Sequence, residues 1–134
     1  MRIRYSFSFA PHENVVLPTG EHVPLYRVGQ TISGVARIVA IEQIKINGIS
    51  VSVGYRIKGT CNPEEAFAPV GGLQLQYLEP NVPIDIPFTY VLPPFGPISY
   101  KGVLMTIDWM VRVVVDIPWA FDDEGFAIFL VGSA

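Results

Sequence analysis

The sequence is short of charge, of cysteine and of helical patterning, and each shortage excludes something. Only 16% of its 134 residues are charged, against roughly 25% in ordinary soluble domains. With half of the chain hydrophobic, such a composition collapses rather than staying disordered. Nine basic residues against twelve acidic ones leave no patch dense enough to neutralise several phosphates, so nucleic acid is excluded as a partner. The single cysteine, Cys61, can form no disulfide within the chain and no cysteine-based zinc site. A lone cysteine fits a reducing, cytoplasmic setting. The first residues, MRIRYSFSF, alternate in polarity where a signal peptide has a continuous apolar region. The longest apolar stretch, 103–115, is interrupted by Asp108 and Arg112 and falls short of a transmembrane helix. Twelve glycines and twelve prolines are spread along the chain, which leaves no room for a long helix. By area scaling a chain of this length buries roughly two thirds of its surface, enough for one core, and residues 1–134 are expected to form one domain.

What charge there is lies unevenly. Residues 1–58 carry seven basic and three acidic side chains, and residues 59–134 carry two basic and nine acidic ones. Either the two halves pair within one fold, or the dipolar particle associates with a partner or with itself.

The pattern that is present has a period of two, the mark of strands with one buried face. Ile3, Tyr5, Phe7 and Phe9 share a face opposite Arg2, Arg4, Ser6 and Ser8. Residues 31–41 are rich in β-branched side chains. Ile49, Val51, Val53, Tyr55 and Ile57 alternate with polar residues and glycine, as do Leu73, Leu75 and Tyr77 with glutamine. Ile84, Ile86, Phe88, Tyr90 and Leu92 form another run, whose Pro83 and Pro87 mark an edge strand or a bulge. Val103, Met105, Ile107, Trp109, Val111, Val113 and Val115 make the longest. The run 126–131 is apolar throughout. Six to eight such strands predict an antiparallel β-sandwich. Ile44 and Ile46 are out of phase with Ile49 across Asn47 and Gly48, which predicts either a tight hairpin or a bulge in one strand. Residues 10–24 and 59–72 lack the period and are expected to be long loops.

Catalytic patterns are scarce. His12 and His22 lie near Glu13 and Glu21, but at no established metal spacing. Cys61 sits beside Glu64 and Glu65, whose charge disfavours a thiolate. Ser99 with Asp108 and a histidine lacks a nucleophile elbow. Asp122, Asp123 and Glu124 are adjacent, so their side chains diverge on a strand, and a weak calcium site there is less apt than a solvated turn. No glycine motif for a phosphate is present. No cofactor, metal or enzymatic activity is therefore expected. Trp109 belongs to the apolar face of its strand, whereas Trp119 follows Pro118 at a strand end and is the one candidate for stacking on a sugar.

The segment 87–122 carries Phe88, Tyr90, Leu92, Pro93, Pro97, Ser99, Gly102, Trp109, Val111, Asp116 and Pro118 in an order that resembles the arrestin-like N-terminal domain family. That family includes arrestins, the retromer cargo-recognition subunit and bacterial sporulation-control proteins. Upstream, Gly29, Ile32, Gly34 and Val35 fit its preceding motif. Trp109 stands where the family usually has tyrosine, and Val28 where it usually has proline. In this alignment 42–55 is one strand, which favours the bulge at Asn47–Gly48. The resemblance implies an immunoglobulin-like, arrestin-like sandwich of about seven or eight strands. It also implies a non-enzymatic adaptor or scaffold that binds partner proteins through sheet edges and loops. Family members usually pair two sandwiches and this chain has room for one, so a second copy is expected to replace the missing half in a homodimer. Arrestins that read phosphorylated receptors carry lysines on the first strand; Arg2 and Arg4 stand on the polar face of a comparable strand here, as candidate partner-binding residues, but the motif itself is absent. The loop 59–72 corresponds in position to a receptor-engaging loop, which makes Asn62, Glu64, Glu65 and Phe67 candidate partner-binding residues, and excising 62–70 is expected to spare the fold. The alternative is a ligand- or carbohydrate-binding sandwich that uses Trp119.

Overall fold

In a computed structural model of the chain, residues 2–10, 13–59, 63–102 and 105–133 are described. They form an all-β sandwich of the arrestin-like type. Its upper layer has three antiparallel strands, β1 (Ile3–Phe9), β4 (Thr31–Ala40) and β9 (Ile84–Val91), in the order β1-β4-β9. Its lower layer contains β2 (Glu13–Val16), β3 (His22–Arg27), β12 (Asp123–Gly132), β11 (Met105–Asp116), β6 (Gly48–Gly59) and β7 (Glu64–Leu73), in the order β2-β3-β12-β11-β6-β7. The short β10 (Tyr100–Lys101) pairs with β11, and β5 (Ile44–Lys45) pairs with β8 (Tyr77–Leu78) at one end. All strand pairs are antiparallel except β3 with β12. Seven strands have seven or more residues and make the body.

The period of two decides which side chains meet. Ile3, Ile32, Ile38, Ile86 and Phe88 from the upper layer face Val51, Val53, Trp109, Val111, Val113, Phe129 and Val131 from the lower, all buried. The aromatic centre is tilted or edge-on, as the ring quadrupole prefers. Tyr26 meets Phe129 at 5.9 Å and 88°, Phe9 meets Phe88 at 5.9 Å and 79°, and Trp109 lies 5.0 Å from Tyr55. Two glycines are required by the backbone. Gly29 turns the chain from β3 into β4 at φ 83°. At Gly34 a side chain would overlap the carbonyl of Ser8 on β1.

Three expectations need correction. Residues 10–24 are not a loop: 13–16 and 22–27 form the β2–β3 hairpin at the sheet edge. Residues 59–72 are not a loop either, because Glu64–Leu73 is a ten-residue strand laddered to β6 with a register shift beside Val51 and Ser52. Its edge position tolerates Pro69 and the glycines that hid it from the sequence pattern. Excising 62–70 therefore removes most of a strand. The run Leu73, Leu75, Tyr77 is broken in two. Leu73 ends β7, and Leu78 rather than Tyr77 is buried, because the chain leaves the large sheet to pair with β5.

At Asn47 the chain makes neither the hairpin, since β5 and β6 do not pair, nor the expected bulge within one strand over 42–55, since β5 and β6 are separate strands in different sheets. It runs on from the β5–β8 pair into the large sheet, with Ile46 bonded to Gln76 and Asn47 to Asp116. The phase shift marks this change of partners. The edge expected from Pro83 and Pro87 is there, with β9 as the last strand of the upper layer.

Candidate interaction surface

The residues that carry the arrestin-like pattern do structural work. Pro93 accepts the Gly96 amide in the turn after β9. The indole N–H of Trp109 donates to the carbonyl of Pro97 at 2.9 Å. The Ser99 amide donates to the Val131 carbonyl, and the Val131 amide donates to Ser99 Oγ at 2.8 Å. These bonds fasten the 93–99 segment across the end of the sandwich onto β12. The Gly102 amide donates to the Met105 carbonyl at the start of β11, and Pro118 occupies the turn after β11. Ser99 is thus a clamp, and its hydroxyl serves the backbone.

The other chemistry-bearing side chains are dispersed. His22 is exposed on β3, and Asp108 lies opposite Arg56 in the β11–β6 ladder. Among the described residues no three histidine, cysteine, aspartate or glutamate side chains gather as a metal site would require. His12, Cys61, Asn62 and Val103 lie outside the described residues. In the acidic turn, Asp123 accepts a 2.5 Å hydrogen bond from the hydroxyl of Tyr5. Burial first, and then this bond and the charges of Asp123 and Glu124, raise the Tyr5 pKa well above its ordinary value. Asp122 and Glu124 remain exposed.

The uneven charge is partly cancelled inside the fold. Arg37 makes a two-pronged pair with Asp85 at 2.7 and 3.0 Å, and Arg56 pairs with Glu65 at 3.1 Å. Each joins the basic half of the sequence to the acidic half.

The candidate partner-binding residues fall on two separate edges. On β1, Arg2 is held by Glu42 at 2.6 Å, and Arg4 is exposed with no ion pair among the described residues. The Ile41 amide donates to the Arg2 carbonyl, and the Ala10 amide to that of Ser33. Even-numbered β1 residues are therefore the ones bonded to β4, and the backbone groups of Ile3, Tyr5 and Phe7 point to the opposite edge. No strand of the described residues pairs with that edge. On β7, Glu65 is engaged by Arg56, and the Arg112 guanidinium sits 4.3 Å from the Phe67 ring centre. Glu64 is exposed at the strand start.

Sequence reasoning missed two features. The outer face of β12 is apolar as well as its inner face, with Phe126 and Ile128 exposed. The signal was the uninterrupted apolar run 126–131, which a sheet face open to water does not need. The second is Phe121, which together with Trp119 is fully exposed at the tip of the β11–β12 turn.

No helix of the described residues is long and apolar enough to cross a membrane. No protein-family model and no curated protein matches the sequence. Among solved structures the chain is similar to the crystal structure of Spo0M, a sporulation control protein from Bacillus subtilis, with a TM-score of 0.62 and 14% identity. The likeness covers 100% of this chain and 51% of that one, so the chain spans about half the length of that protein. At this identity the two share a fold, the arrestin-like sandwich that the pattern of 26–118 resembles.

Proposed function

We propose that the chain is a non-enzymatic protein-interaction module of the arrestin-like type, which takes an extended segment of a partner protein along the free edge of β1. The observation that carries this reading is the one-sided pairing of β1. It is seven residues long, contains no proline, and turns the amides and carbonyls of Ile3, Tyr5 and Phe7 away from β4. An added strand would bond to these groups for affinity, and side chains flanking Arg4 would set specificity. In this reading residues 1–134 act as one module, and the lone Cys61 suits a cytoplasmic setting. Glu65 and Phe67, engaged within the sheet, contribute through the β7 edge only if a partner displaces their contacts.

The test is selection of binding peptides from a displayed library on the intact chain, followed by amide exchange measured by NMR. Bound peptide is expected to slow exchange at Tyr5 and Phe7 while Arg4 and Ser6, already bonded to β4, change little. Selected peptides that leave the Tyr5 and Phe7 amides exchanging freely overturn the reading. The exposed indole of Trp119 supports a second reading, a carbohydrate-binding sandwich, which requires its fluorescence to shift when oligosaccharides are added.

A further inference from the structure

The turn 117–120 is built against the preferences of its own backbone. Pro118 suits the second position of a turn, but Trp119 follows at φ 62°, where glycine or asparagine is favoured and a bulky side chain is disfavoured. Trp119 gains no burial in return, for it and Phe121 are both fully exposed. Residues 117–121 contain no charge, and Ile117 packs against the core and anchors them. The fold does not explain two bare aromatic rings on a strained tip, so their contacts lie outside the described chain.

The same sheet holds a matching hollow. Ile128 and Leu130 on the outer face of β12, together with Leu17, Val23, Tyr100 and Ile107 beside them, line an apolar cleft of about 300 Å³, at the lower limit for a metabolite site and of a size to take aromatic side chains. The tip follows Asp116 at one end of β11, and the cleft lies beside Ile107 near the other. Nine residues of strand separate these positions by about 30 Å, so a chain cannot fill its own cleft. Along β12 the two are joined by the exposed Phe126 and Ile128. Charge agrees with the shape. Asp122 and Glu124 stand exposed behind the tip. Lys101 and Lys58 flank Thr106 on its two neighbouring strands beside the cleft, and neither makes an ion pair among the described residues. The one acid of the cleft wall, Asp108, is opposite Arg56.

We propose that the occupant is a second copy of this chain. Two molecules pack antiparallel through the outer faces of β12, each placing Trp119 and Phe121 in the other's cleft, with Asp122 and Glu124 meeting the partner's lysine pair. The strip from Phe121 to Leu130 is self-complementary when reversed about Phe126, which closes the assembly at two copies. No β1 residue takes part, so the dimer stands or falls separately from the β1 reading.

Sedimentation velocity of the intact chain at rising micromolar concentration tests this. A species of twice 14.8 kDa is expected. Trp119→Gly is expected to weaken its formation about tenfold or more, as loss of a central aromatic anchor does. Ile128→Lys, at an exposed position, is expected to do the same, and an equimolar mixture of the two variants to regain one of the two contacts and associate more than either alone. Lys101→Glu is expected to weaken the dimer, and Asp122→Lys added to it to restore it partly. A chain that stays monomeric, a dimer indifferent to Trp119→Gly, or growth beyond two copies overturns the proposal. So does a monomer that floats with phosphatidylcholine vesicles only when Trp119 is present, which would assign the tip to a lipid surface.

Discussion

The strand β11 and the turn that follows it each hold a tryptophan, and the two obey opposite rules. Trp109 is buried, in contact with Tyr55, Tyr90 and Phe129, and its N–H has a partner in Pro97. Everything about it follows from the fold. Trp119 lies bare to solvent on a left-handed backbone, and nothing about it follows from the fold. Trp109 measures how well the core is packed, and Trp119 measures what the core leaves unused.

The contrast can be broken most forcefully at the core. Trp109→Ala should cost about 4 kcal/mol, the usual loss for a large buried aromatic, seen as a lower midpoint in urea denaturation. Gly34→Ala drives a methyl into the Ser8 carbonyl and against the Phe88 ring, where β1 and β9 flank β4. A loss of about 3 kcal/mol is expected in the same measurement. A smaller change would mean that β1 can slide on β4.

Beneath the tip, Tyr5→Phe leaves Asp123 without its hydroxyl partner and should cost about 1.5 kcal/mol near neutral pH. The pH dependence has a definite sign. Because Tyr5 is held neutral in the folded state, its contribution is full below pH 10.0, the ordinary tyrosine value, and is lost as pH rises beyond it. The gap between wild type and Tyr5→Phe should therefore narrow in alkaline denaturation.

Trp119→Gly should move the other way, stabilising the monomer by about 1 kcal/mol by removing a side chain from a left-handed residue. That corresponds to a rise of about 3 °C in thermal midpoint for a domain of this size. A stabilised variant that has lost self-association would sharpen the contrast between the two tryptophans. A destabilised one would return Trp119 to the fold.

The smallest effect is expected at the Arg37–Asp85 pair on the exposed face of the upper layer. The Arg37 hydrogen bonds, followed by its charge, lower the Asp85 pKa. Its contribution is present above the ordinary carboxylate value of 3.8 and declines as pH falls below it. Salt should erase it, so Asp85→Asn should differ slightly from wild type near neutral pH at low ionic strength, and the difference should vanish in acid.

Much of this was legible in the sequence wherever a strand keeps one face wet. β1, β6, β9 and the inner face of β11 announce themselves by alternation, β4 by its β-branched residues, and Pro83 and Pro87 announce an edge. β7 does not, because an edge strand with Pro69, Gly71 and Gly72 has little apolar face to alternate. The β2–β3 hairpin hid for a similar reason, having only four and six residues. β12 hid its outer face for the converse reason, since apolar residues on both sides erase the period altogether.

By itself, then, the sequence determined the class: a period of two, frequent glycine and proline, and no helical window compel an all-β sandwich whose centre includes Trp109. Only the tertiary structure decided what is exposed. A pattern records which side chains share a face, but not whether that face meets another sheet, water or another molecule. That depends on which strands become neighbours, and long-range pairing left one edge of β1 open, gathered residues from the β2–β3 turn, β3, β10, β11 and β12 around one cleft, and held Trp119 and Phe121 clear of everything else.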